Sequence, residues 1–122
     1  MNDTAKALRE RSFAFALRIV KLVQVLESEH REWVLSKQLL RSGTSIGANI
    51  REARFAQSNS DFVSKLSISL KEGEETIYWL ELLHAAGFIP KDEFVSLSEE
   101  VNWLIGTLVN VVKACKNKTT RT

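Results

Sequence analysis

Two spacings in this 122-residue chain match a metal-binding pattern, Glu27-x-x-His30 and Glu81-x-x-His84. On a helix, a carboxylate and an imidazole three residues apart share one face, and in di-metal bundles such pairs point at a common metal pair. Glu32 and Glu93 could supply the two further carboxylates such a site needs. Against this, Glu27 and Glu81 each lie about 100° round the helix from the core-type neighbours Leu26 and Leu80. All six residues also fall at helix ends, where water competes for them. The pattern therefore predicts solvated helix-terminal side chains and no metal site, with a di-metal bundle as the third-ranked function class. Cys115 sits near the chain end without a placed histidine, so no cysteine nucleophile is expected. Gly43-Thr44-Ser45-Ile46-Gly47 lacks the Lys-Ser/Thr that completes a phosphate-binding loop, and reads instead as a helix-packing patch. No catalytic residue, cofactor or small-molecule substrate is evident.

The basic residues give a better lead. At about 100° per residue, Lys37, Arg41, Thr44, Ala48 and Arg51 fall within an arc of about 80° on one helix, opposite Leu39, Ile46 and Ile50. Three cations in one stripe can contact successive phosphates, and Thr44 adds a hydrogen-bond donor. Arg54 lies off this arc, while Arg9, Arg11, Arg18 and Lys21 extend the basic field. An ordinary solvated face has the same composition. Repetition of the stripe around an oligomer would raise the local potential and favour a polyanion such as RNA or DNA.

Four helices must position these residues. Phe15, Ile19, Leu22 and Leu26 step by four, three and four, predicting a helix over about 5–28. Leu39, Gly43, Ile46, Ile50 and Ala53 form a heptad seam in a second, about 33–56, with a break at Ser42–Ser45 as the alternative. Ser58 and Asp61 resemble a capping box opening a third, about 59–86, whose stripe is Leu66, Leu70, Ile77, Leu80 and Leu83. Gly87 suits its left-handed C-terminal cap, and Pro90 stops it. Phe94, Leu97, Val101, Leu104, Leu108 and Val111 define a fourth, about 91–115, followed by a frayed tail at 117–122. Short connections predict one all-α domain over 1–122, an antiparallel up-down-up-down four-helix bundle. Apolar residues cover more than half the circumference of the first and third helices, with Phe13, Tyr78 and Trp79 off the main seams. That surplus predicts self-association.

Composition narrows the class further. The chain is 44% hydrophobic and 26% charged, with five glycines and one proline, which suits a structured globular helical protein. One cysteine excludes an internal disulfide framework. The longest uncharged stretch, Val101–Val112, falls short of the roughly 20 residues that cross a bilayer. The N-terminal run lacks the apolar segment of a secretory signal, so a cytoplasmic protein is expected. The net charge of +2 is unevenly spread. Residues 1–58 carry ten Lys and Arg against six Asp and Glu, a net of +4, while residues 59–122 carry seven against nine, a net of −2.

The run Gln38-Leu39-Leu40-Arg41-Ser42-Gly43-Thr44-Ser45-Ile46-Gly47-Ala48-Asn49-Ile50 carries a family resemblance. So do Glu52-Ala53, Gln57-Ser58, Asp61-Phe62, Lys65-Leu66, Lys71-Glu72, Glu75-Thr76 and Tyr78-Trp79-Leu80. Together they resemble the bacterial four-helix-bundle family of 23S rRNA-intervening-sequence proteins, over nearly the whole chain and most strongly from Gln38 to Leu83. The resemblance reaches the accessory protein (Avd) of diversity-generating retroelements, a barrel-shaped homopentamer that binds nucleic acid and its reverse transcriptase. What it implies is a non-enzymatic homo-oligomer, a pentamer, with RNA or DNA as a partner. A purely protein–protein interaction module is the alternative. The chain is less basic than the retroelement relatives, and its third helix carries five acids against two lysines. Gly43, Ile46, Gly47, Asn49, Tyr78 and Trp79 are the expected helix-packing and oligomer residues, and Lys37, Arg41, Thr44 and Arg51 the expected nucleic-acid contacts. Pairing of Glu72, Glu75 or Thr76 with Arg41, Arg51 or Arg54 would withdraw those arginines from phosphate.

Overall fold

A computed structural model describes residues 2–121, with side chains placed over 3–117. It holds four helices and, among the described residues, no strand: α1 (Asn2–His30), α2 (Val34–Ala53), α3 (Asn59–Ala85) and α4 (Lys91–Arg121). No helix of the described residues is long and apolar enough to cross a membrane. α2 is unbroken through Ser42–Ser45 and stops at Ala53, three residues earlier than its periodicity predicts. α4 runs to Arg121, so the segment expected to fray is helical to that residue. Thr122 lies outside the described residues.

Local chemistry sets each boundary. After α1, Arg31 takes a left-handed φ of 57° and the Glu32 amide donates to the Leu26 carbonyl at 3.0 Å, turning the chain. The Glu32 carboxylate then accepts from the amides of Val34, Leu35 and Ser36 at 3.2, 3.1 and 2.7 Å. It satisfies three orphan donors of α2 and places negative charge at the positive end of the helix dipole. Ser58 accepts from the Asp61 amide at 3.0 Å while Asp61 accepts from the Gln57 amide at 3.2 Å, a reciprocal start to α3. Gly87 closes α3 at φ 89°, with Phe88 donating to Leu83 at 2.9 Å and Gly87 to His84 at 3.0 Å. That is the Schellman arrangement, which a residue with a Cβ adopts only under strain.

Each helix packs against its sequence neighbours, and α1 meets α4 more thinly. Contacts between partners run in opposite sequence order: Ile19–Gly43 and Ser12–Gly47 join α1 to α2, while Ser42–Thr76, Ile46–Ser69 and Glu52–Lys65 join α2 to α3. His84–Phe94 and Gly73–Ile105 join α3 to α4, and Arg11–Glu100 and Arg18–Ser96 join α1 to α4. The core holds the expected seams of α1 and α2, together with Leu66, Leu80, Leu83, Leu97, Val101, Leu104 and Leu108. Leu70 and Ile77, expected on the α3 stripe, are only partly buried. Ser69, Gly73 and Thr76 hold the buried line there instead. Ser69 donates to the Ile46 carbonyl at 2.8 Å, and Thr76 donates to the Glu72 carbonyl at 2.7 Å. Small residues let α3 lie close to α2 and, at Gly73, to α4, and each of these buried hydroxyls is satisfied.

Candidate functional site

The cationic stripe of α2 divides once side chains are in place. Arg41 reaches across to α3, pairing with Glu72 at 3.1 Å and with Glu75. Glu75 also accepts from the Trp79 indole at 3.0 Å. That indole bond and the Arg41 guanidinium hold Glu75 below the usual carboxylate range, and Glu75 raises Arg41 in return. Arg41 is therefore committed to the α2–α3 seam. Thr44 donates to the Leu40 carbonyl at 2.7 Å, within its own helix. Lys37 and Arg51 are exposed and lie outside the ion pairs formed among the described residues. The Arg51 guanidinium sits 5.7 Å from the Phe13 ring centre.

The wider basic field is also partly engaged. Arg11 makes a two-pronged pair with Glu100, at 2.8 and 2.9 Å, and stacks 3.6 Å over the Trp103 ring. The Arg11 bond holds Glu100 below the carboxylate range, with the Arg18 charge adding to it. Arg18 donates to the Ser96 hydroxyl at 2.9 Å. Arg54 lies 5.7 Å from Phe55 at the far end of α2.

The packing residues fall into two groups. A Cβ on Gly43 would stand 3.0 Å from Ile19, and one on Gly47 would stand 3.1 Å from Ser12, so both glycines serve the α1–α2 approach inside the chain. Ile46 is fully buried. Asn49 donates to the Ser45 carbonyl of its own helix at 2.8 Å. Tyr78 is 57% exposed and meets Trp79 edge-on at 5.1 Å, while Trp79 is partly buried. Other large apolar side chains face outward: Phe13 and Leu17 on α1, Ile68 and Leu82 on α3, and Phe55 after α2.

The Glu-x-x-His residues do not converge. His84 Nδ1 bonds the Ile89 carbonyl at 2.8 Å and its ring stacks on Phe94, while His30 packs edge-on against Phe88. Glu32 is occupied as the cap of α2. Among the described residues, no group of three or more His, Cys, Asp or Glu is placed to hold a metal ion. Sequence reasoning missed the Glu32 cap, although a carboxylate beside a helix start is the signal for one.

The description that fits this bundle is the 23S rRNA-intervening sequence protein, whose family pattern matches residues 6–110. The chain belongs to that family. This family member is similar to a solved crystal structure from Bacteroides thetaiotaomicron VPI-5482, described as a protein with unknown function from the S23 ribosomal protein family. The two are 46% identical with a TM-score of 0.89, over 90% of this chain and 98% of the other. No curated protein matches the family member.

Proposed function

We propose that this chain is a non-enzymatic, homo-oligomeric helical scaffold of the cytoplasm, built from up-down-up-down bundles. The observation that carries this reading is the exposure of Phe13, Leu17, Tyr78 and Leu82 on the outer faces of α1 and α3. Fully burying an exposed Phe or Leu side chain is worth about 1.5–3 kcal/mol, and these four are about half exposed, so covering them favours assembly by roughly 3–6 kcal/mol before the cost of association. The opposite order of contacts between neighbouring helices supports the topology. The resemblance to Avd favours closure as a pentamer. Static light scattering at micromolar concentration tests the reading: a multiple of the 13.8 kDa chain mass is expected, and a stable 13.8 kDa particle refutes it.

A second reading, contact with RNA or DNA, is favoured by Lys37 and Arg51, the two stripe cations outside the intramolecular ion pairs. It predicts salt-dependent retention of RNA that falls when Lys37 and Arg51 are both reversed to glutamate. Retention absent at low salt, or unchanged in that variant, removes this reading and leaves a protein–protein interaction module.

A further inference from the structure

We propose that copies of this chain join head to tail, the groove between α1 and α2 of one copy receiving the outer stripe of α3 of the next. This rests on the self-association reading above and adds which two surfaces meet.

The receiving surface is a cleft of about 420 Å³ lined by Phe13, Ala16, Thr44, Gly47, Ala48 and Arg51. Its floor is shallow because Gly47 brings the backbone of α2 against Ser12, and Phe13 forms a wall that is 59% exposed. Leu17, one turn along α1, extends the same wall and is exposed. The incoming surface is Tyr78 with Leu82, four residues on and therefore on the same stripe. Tyr78 is braced edge-on by Trp79, whose indole is tied to Glu75, which is itself tied to Arg41. A large ring held in place before association loses little freedom on binding, the property that makes tyrosine a frequent interface anchor.

Charge decides the pairing. Arg9 and Arg51 border the groove, and its one lining acid, Glu52, is already paired with Lys65 at 3.1 Å. Glu74 and Glu81 are exposed beside the Tyr78–Leu82 stripe. Glu10 and Lys71 carry the minority sign on the two faces. The division extends to the whole chain, since residues 1–58 sum to +4 and residues 59–122 to −2. A two-fold pairing of groove with groove brings two basic faces together, and a pairing of stripe with stripe brings two acidic ones together. Groove against stripe brings opposite signs together, and such a heterologous contact closes into a ring when its rotation permits.

The experiment blocks one face at a time. Phe13→Glu disables the groove and Tyr78→Glu disables the stripe, both at exposed positions, with circular dichroism and a thermal melt confirming the fold. By light scattering, the wild type is expected to form an assembly and each variant alone a particle of 13.8 kDa. An equimolar mixture is expected to give a dimer of twice that mass and nothing larger, through the one intact pair of faces. Should either variant misfold, Arg51→Glu replaces it as a single-site test. That change should weaken assembly by about tenfold or more, with recovery on adding Glu74→Arg and Glu81→Arg to the same chain. A variant that keeps the wild-type mass, a mixture that stays monomeric, or a charge swap without recovery overturns the face assignment while self-association stands. A wild type of 13.8 kDa overturns both.

Discussion

Replacing Gly43, Gly106 and Gly87 in turn by alanine applies one chemical change to three environments, and the structure assigns them different signs. Gly106 lies in α4 with nothing within 4 Å of an added Cβ. There alanine gains helix propensity alone, a stabilisation of about 0.5–1 kcal/mol. Gly43 gains the same propensity, but its Cβ meets two carbons of Ile19 at 3.0 and 3.1 Å. Ile19 is fully buried and β-branched, so its χ1 is stiff and the clash falls on atoms next to the backbone. Overpacking of this kind costs about 1–3 kcal/mol, leaving a net loss of about 1 kcal/mol. Gly87 has open space but a φ of 89°, where a Cβ costs about 1–2 kcal/mol. For a domain of this size, 1 kcal/mol moves Tm by about 3–5 °C, so Gly106→Ala and Gly43→Ala should melt about 5–10 °C apart. The melts are run at one protein concentration, because assembly makes Tm concentration-dependent. A Gly43→Ala variant as stable as Gly106→Ala would refute the close α1–α2 approach.

Glu32→Ala should destabilise the chain by about 1 kcal/mol in urea unfolding through loss of the α2 cap, and an unchanged midpoint would remove that role. Thr76→Val keeps the shape but leaves the Ser42 hydroxyl, 3.0 Å away, with only its long bond to the Leu39 carbonyl at 3.5 Å, so a loss of about 1 kcal/mol is expected; a neutral result would count against the α2–α3 polar contact. Glu75 and Glu100 sit below the ordinary carboxylate range and bind fewer protons folded than unfolded. The stability they contribute is fully present above the unfolded value, about 4.3, and is lost as pH falls through the folded one. The stability gap between wild type and Glu100→Gln should therefore shrink on acidification in a melt series, and a constant gap would contradict the linkage.

Much of the fold was legible because the helices carry their own punctuation. The α1 and α2 seams, Gly87 and the Ser58–Asp61 start all announce burial or turns through residue type at fixed spacing. Two of the misread stretches have related physical causes. On α3 the closest approach to the neighbouring helices is made by Ser69, Gly73 and Thr76, and a search for apolar periodicity passes over small and polar residues. The end of α4 is missed for a related reason: a polar run without Gly or Pro offers no apolar stripe, yet nothing in it stops a helix.

The stripe on α2 shows why a charge pattern outlines a site without defining it. Lys37, Arg41 and Arg51 are equivalent cations when only their helical angle is known. What separates them is the opposing helix: α3 places Glu72 and Glu75 against Arg41 but no carboxylate against Lys37 or Arg51. Likewise Gly43 and Gly47 promise a close approach without naming the partner, and both spend it on α1. With the glycines and Arg41 consumed inside the chain, the surfaces proposed to meet are the groove at Phe13 and Arg51 and the stripe at Tyr78 and Leu82. These two surfaces carry opposite charge and belong to different helices, so each is complementary to the other rather than to itself.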